Sequence, residues 1–258
     1  MNVIDRQAKV LRLLATGSYS GLALREIARQ LDLASSTTHR LLQALTEVGM
    51  VTQDEDSQNY RIGGEILYLA GTYLERMAFT DLVAPYLDRL TAETGLVSFS
   101  AVKDRDTVIC TAVRTPRETT NFYVRVGKVL PLHASAAAKA LIYPLDLPQL
   151  SAILSESSAR RYTDNTLASA ENLAKDLESG LQRGYWECNE EFEPDVYAVA
   201  APILSADAQP MASLAVVGRL GMVRGCLDQI KSCLTDSTSD ASREIGQLLY
   251  SGQLTGAA

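Results

Sequence analysis

An α+β fold divided between two domains is predicted for this chain of 258 residues. Two observations carry the prediction. The N-terminal part holds three amphipathic helical stretches in a row followed by a short hairpin. The remainder mixes strand and helix without a repeating βαβ unit, which disfavours a doubly wound sheet.

In the first stretch Ile4, Ala8, Leu11 and Leu14 recur at helical spacing, with Val10 and Leu13 beside them. Thr16 to Gly21 breaks it, and Leu24, Ile27, Ala28 and Leu31 mark a second, short helix. Asp32-Leu33-Ala34 is the turn. Ser35 is suited to cap a third helix, which runs to about Val48 and stops at Gly49. Its stripe Thr38, Leu41, Leu42, Leu45 and Val48 is expected to point inward, leaving Ser36, Thr37, His39, Arg40 and Gln43 outward. Met50 to Gln53, a polar turn, and Tyr60-Arg61-Ile62 read as a hairpin.

Any one of these helices alone would be only a packing module with a solvated face. Helix, tight turn and a second helix whose first turns display Ser, Thr, His and Arg is what reading a DNA major groove requires, and a hairpin after it is a wing. A winged helix-turn-helix over residues 1–63 is therefore expected to bind double-stranded DNA through Arg25, Ser35, Ser36, Thr37, His39, Arg40, Gln43, Tyr60 and Arg61. Asp54, Glu55 and Asp56 at the wing tip should repel phosphate, so Arg61 is favoured over the tip.

The net charge of −7 suits a DNA binder only when divided along the chain. Residues 1–53 carry six Lys/Arg against four Asp/Glu, and residues 64–258 carry 17 against 24. The acidity thus belongs to the larger part, where it discourages non-specific adhesion to DNA. Hydrophobic residues at 47% and charged ones at 21% are those of a globular protein. Asp5, Arg6 and Lys9 interrupt the opening segment, and no uncharged apolar run approaches the ~20 residues of a membrane span, so a cytoplasmic location without membrane contact is expected. Cys110, Cys188, Cys226 and Cys233 lack zinc-site spacing and are too few for a disulfide scaffold; reduced thiols and no cofactor are expected.

Beyond Gly63-Gly64, a stripe of Ile66, Leu69, Ala70, Tyr73, Leu74 and Met77 predicts a linker helix over 64–78 that needs covering by a second subunit or by the rest of the chain. The remaining domain, 79–258, reads as a helix Leu82 to Thr94 stopped by Gly95, then a hairpin of 97–102 and 107–113 around Lys103 to Asp106. Helices follow over 135–142 and 169–182, strands over 196–204 and 211–217, and a helix over 227–249.

Three segments in order resemble the isocitrate lyase regulator (IclR) family: Leu24 to Val51, with its Ser/Thr pair and His-Arg-Leu-Leu run; Val126 to Leu141; and Asn189 to Ile203. The resemblance implies a one-component transcriptional regulator with a GAF-like effector domain built on a curved antiparallel sheet; a repressor is expected, with activation left open. It also implies a homodimer, or dimers paired into a tetramer, on a pseudo-palindromic operator, switched by a small molecule. The family's effector pocket falls here on Phe99, Leu132, His133, Ala134, Ser135, Ala136, Ala137, Cys188, Ala198, Ala215 and Val217. Cys188 stands where many members have an acid, Ala198 where many have cysteine, and Ala215 and Val217 where serines are common. Burying a small 2-oxo acid without such partners is costly, so an apolar effector such as an aromatic acid is expected in place of glyoxylate or pyruvate.

His133 and Ser135 also admit a hydrolase reading, a base beside a nucleophile, although no G-x-S-x-G elbow supports it. His133 is expected to be a packed or hydrogen-bonding loop residue. Glu187, Glu190, Glu191, Glu193 and Asp195 are expected to be solvated loop carboxylates and not metal ligands, because no histidine accompanies them.

Overall fold

The computed structural model describes residues 3–76, 79–117, 123–156 and 160–250, and the chain divides into two compact units, Met1–Met77 and Ala78–Ala258.

In the first unit, α1 (Val3–Thr16), α2 (Leu24–Leu31) and α3 (Ser35–Glu47) precede a hairpin of β1 (Val51–Gln53) and β2 (Tyr60–Ile62). Val10 and Leu14 of α1, Ile27 of α2, and Leu41, Leu42 and Leu45 of α3 bury a common core, closed by Val51 and Tyr60. Asp32 adopts a left-handed conformation (φ 51°) to end α2, its N–H bonding back to the carbonyls of Ala28 and Arg29. Gly49 does the same after α3 at φ 72°, and Met50 N–H returns to the carbonyl of Leu45. Leu22 pairs with Tyr60, so the segment before α2 joins the wing. The linker helix α4 (Gly64–Arg76) starts on this unit, with Glu65 N–H bonded to the Gly49 carbonyl. Its outward face is apolar, with Leu67 77% exposed and Tyr68 and Leu69 exposed beside it. Met77, counted in the linker stripe, lies outside the described residues.

Two local expectations are corrected here. The cap of α3 is Ala34, not Ser35: Ala34 takes the extended backbone, and Ser35 is already helical. Val48, expected inward, is 56% exposed, because α3 ends at Glu47 and Val48 has left the helical angles that would aim it at the core.

The second unit is a curled antiparallel half-barrel of six strands in the order β5-β4-β3-β8-β7-β6. These are β3 (Val97–Asp104), β4 (Thr107–Arg114), β5 (Val129–Leu130), β6 (Trp186–Asn189), β7 (Val196–Leu204) and β8 (Pro210–Arg219). Flanking helices are α5 (Phe79–Thr94), α6 (Ala136–Ile142), α7 (Leu147–Glu156), α8 (Ala170–Arg183), α9 (Leu220–Gly225) and α10 (Leu227–Tyr250). Strand alternation sorts the side chains to two faces. Ser98, Val199, Ala201, Leu214 and Val216 face one way, and Ser98 Oγ donates to the carbonyl of Leu87 in α5. Phe99, Ala198, Ala200, Ala215, Val217, Trp186 and Cys188 share the other face with α6 in one buried cluster. Both faces are covered, which is why these strands are apolar at nearly every position.

Four short elements escaped the periodicity: β5, β6, α7 and α9. β5, β6 and α9 are too brief to show a period of their own, whereas α7 carries Leu147, Leu150, Ile153 and Leu154 at helical spacing, a signal that sequence reading missed.

Candidate DNA-reading helix and effector chamber

The buried stripe of α3 fixes which side faces out. Thr38, Leu41, Leu42 and Leu45 are buried, whereas Ser35, Ser36, His39, Arg40 and Gln43 are exposed and Thr37 is half-buried. No side chain caps the helix. The first intrahelical bond runs from Thr38 N–H to the Ala34 carbonyl, so the N–H groups of the opening turn point forward beside the Ser and Thr hydroxyls. An array of donors with a partial positive charge suits phosphate oxygens. Arg25 is exposed on α2, and Gln43 donates to Glu47 at 3.3 Å.

The wing differs from expectation. Tyr60, expected at the groove, is only 7% exposed and belongs to the core beneath the hairpin, so its ring supports the wing from within. Arg61 spends its guanidinium on Asp54 at 2.6 Å. The Asp54 carboxyl is held below its usual range by the N–H and hydroxyl of Ser57, with Arg61 adding to them. An Arg61 engaged by Asp54 has less of its guanidinium free for a phosphate than its sequence suggested.

In the second unit most of the expected effector residues converge. Register places Phe99 opposite Ala215, and Ala198 opposite both Val217 and Cys188. Two bonds pin the α6 end onto this face: Cys188 Sγ donates to the Ala134 carbonyl at 3.3 Å, and Ser213 Oγ to that of Ala137 at 3.0 Å. Ala134, Ala136 and Ala137 are fully buried there, Leu132 packs at the margin, and Ser135 is the residue before α6. The face is small-residued and apolar. An open cleft elsewhere, lined by Leu204, Ser205, Ser242 and Arg243, includes none of these residues.

A charged group that sequence reading missed lies behind this face. Lys139 of α6 is fully buried, with Nζ 2.8 Å from Asp176 and 2.8 Å from Glu191. Burial alone would lower its pKa, but Glu191 and Asp176 outweigh burial and hold it above the ordinary lysine value. Glu191 moves up, burial exceeding the pull of Lys139. The acidic run is therefore not uniformly solvated: Glu191 is a buried counter-ion, because an ammonium sealed in an alanine-rich helix demands one. The signal was available in Ala136-Ala137-Ala138-Lys139-Ala140-Leu141, a helix apolar on every side of one lysine.

His133 is buried, its Nε2 3.2 Å from the Arg160 carbonyl and its ring stacked on Tyr162. Among the described residues no three side chains of metal-binding type converge, and no helix is long and apolar enough to cross a membrane. All four cysteines are free; burial pushes the Cys110 and Cys188 thiols up to about 12.

The family description "IclR helix-turn-helix domain" matches residues 3–55, and "Bacterial transcriptional regulator IclR C-terminal" matches residues 71–243. The chain belongs to the IclR family. Among curated proteins it is similar to the HTH-type transcriptional regulator BhcR of Paracoccus denitrificans, 32% identical over 95% of this chain and 86% of that protein. It is also similar to the transcriptional repressor IclR of Escherichia coli, 30% identical over 85% of this chain and 81% of that protein. Among solved structures, an IclR homologue of Microbacterium hydrocarbonoxydans complexed with 4-hydroxybenzoate shares the fold with a TM-score of 0.77, 21% identity and coverage of 94% and 98% of the two chains. An IclR-type regulator of Alicyclobacillus acidocaldarius shares it at 0.77 and 24% identity over 93% and 97%. This chain is thus a transcriptional regulator with a helix-turn-helix DNA-binding part and an effector-binding part, not an enzyme. The hydrolase reading of Ser135 and His133 falls with that assignment.

Proposed function

We propose that this IclR-family protein is a repressor that binds a pseudo-palindromic operator as a dimer, or as paired dimers, and that an aromatic acid changes its hold on DNA. Residues 1–63 bind the operator, 64–78 link, and 79–258 sense. The division of the chain near Met77 supports that partition. The exposed outward face of α3, Ser36, His39, Arg40 and Gln43, is what supports operator reading. In a two-fold dimer two such helices meet successive major grooves, about one helical turn or a multiple apart. The exposed apolar face of α4 supplies a surface for the second subunit.

The observation that carries the effector class is the sheet face itself. Phe99, Cys188, Ala198, Ala215 and Val217, buried against α6, make an apolar interior with, apart from one buried thiol, no hydrogen-bond donor among their side chains. Such a face gains from burying a ring and loses from burying a bare small carboxylate. The relative that binds 4-hydroxybenzoate supports the same class. A gel-shift against the DNA upstream of the chain's own gene, with 4-hydroxybenzoate or glyoxylate added, tests both halves. Retention of that fragment over random DNA, altered by the aromatic acid alone, is the expected result; tight glyoxylate binding with no response to benzoates would overturn the effector reading.

A further inference from the structure

The wing carries an ion pair whose geometry is set from two sides. Thr52 pairs with Arg61 across the hairpin, and Asp54 lies two residues beyond Thr52, so strand alternation puts Asp54 and Arg61 diagonally on one face. Arg61 Nη2 meets Asp54 Oδ2 at 2.6 Å. The other carboxylate oxygen accepts from the Ser57 N–H at 2.9 Å and from the Ser57 hydroxyl at 2.8 Å, which pins the carboxylate. These bonds, with Arg61 adding to them, hold its pKa below the usual range, so it is ionised near pH 7. On the other side the stem of Arg61 runs over Gly21, which sits at φ 79°. A Cβ at Gly21 would lie 2.7 Å from Arg61 Cγ and 2.6 Å from the Tyr60 carbonyl oxygen, so only glycine lets the arginine pass so close. Asn59 Nδ2 donates to the Ser20 carbonyl at 3.2 Å and ties the same loop to the wing.

Charge decides what this arrangement does near DNA. Asp54, Glu55 and Asp56 set three carboxylates against the one guanidinium of the hairpin, so the wing as a whole repels phosphate. A phosphate that competes for Arg61 must take it from a carboxylate already at 2.6 Å and fixed by two further donors. Forming the new charge-assisted pair is then offset by breaking the old one. On α3, by contrast, His39 and Arg40 stand exposed. The fold leaves the reading helix open and holds back the cation of the wing.

We propose that Asp54 is a specificity-determining residue: by holding Arg61 along the wing it withholds that cation from DNA phosphates, so that binding to sequence-unrelated DNA stays weak and discrimination rests on α3. Non-specific binding comes almost wholly from phosphate contacts, each of which adds about 0.9 to the slope of log K against log salt, so one withheld arginine is visible in that slope. The inference rests on the DNA-binding helix-turn-helix of the family and on neither the effector nor the operator reading, and its failure leaves those two untouched.

Fluorescence anisotropy of the full chain on a random-sequence duplex, from about 50 to 200 mM salt, tests it. Asp54→Asn keeps a side-chain oxygen for Ser57 and loses the charge that holds Arg61. It is expected to bind the random duplex at least about threefold more tightly at the low-salt end, with a salt slope steeper by about 0.9. Arg61→Ala alone is expected to stay within about twofold of the wild type, and in that background Asp54→Asn gains less than about twofold. An equal gain with and without Arg61 overturns the inference, because Asp54 then acts only through its own negative charge. No gain from Asp54→Asn overturns it as well. So does a loss of about threefold or more in Arg61→Ala, which puts the arginine on phosphate in the wild type. Arg61→Ala by itself decides the matter should Asp54→Asn not fold.

Discussion

Arg40 and His133 show how differently two polar residues can be fixed by their neighbours. Arg40 is exposed on α3 and its helix is oriented by the leucines beneath it, so its reach toward DNA depends on nothing but its own side chain. Arg40→Ala is expected to cost ~1–3 kcal/mol of operator binding if the guanidinium reaches a base edge, and to relax preference at that base, as read by fluorescence anisotropy on operator and scrambled duplexes. His133 bears on stability. Its folded pKa is depressed from 6.5, so its contribution is present above 6.5 and is lost as pH falls through the folded value, where the unfolded chain binds the extra proton. Urea unfolding between pH 7 and pH 5 should show a steeper loss in the wild type than in His133→Gln; parallel curves would refute it. The outward placement of His39 and Arg40 was legible from spacing alone. Tyr60 was not, because an aromatic on a short hairpin reads the same whether its ring faces DNA or the core.

At the scale of elements, α6 is the informative case. Its apolar residues gave its existence, and the resemblance gave its neighbourhood, but the partners of Lys139 come from α8 and the loop after β6, far apart in sequence. Removing the lysine leaves Glu191 and Asp176 facing each other in a buried site. Lys139→Ala is therefore expected to cost about 3–5 kcal/mol in denaturant unfolding, whereas Lys139→Met with Glu191→Gln, which removes both buried charges, costs less. A loss below about 1 kcal/mol for Lys139→Ala would show that water reaches the triad and that the three charges do not anchor α6. The same logic explains why β6 went unseen: Trp186 and Cys188 face the core while Glu187 and Asn189 do not, too few residues to establish a period of two.

For the whole molecule, the proposed regulation amounts to coupling between two sites on one chain. An effector that shifts operator affinity must have its own affinity shifted by the same factor when operator is bound, and couplings of ~1–3 kcal/mol correspond to roughly 5 to 150-fold. Calorimetry with an active aromatic acid, with and without saturating operator, should return the same factor as anisotropy with and without that acid. Unequal factors would mean that the acid acts on something other than the two-state regulator proposed here. The division of charge matters at this scale too: a net charge of −7 on the chain coexists with a basic N-terminal segment, so operator affinity should fall with salt through few phosphate contacts.

The sequence by itself determined the order of the longer elements, the winged helix-turn-helix, the mixed character of the larger unit and the family, because these are local or nearly local: a period of 3.6 or 2, a turn, a run of matched residues. Tertiary structure alone decided that Tyr60 supports the wing from within, that Glu191 answers Lys139, and that His133 holds one nitrogen bonded and the other bare. Each of those outcomes is set by which distant backbone the fold brings alongside, and the energy of a buried polar group depends on that neighbour far more than on the residue's own chemistry.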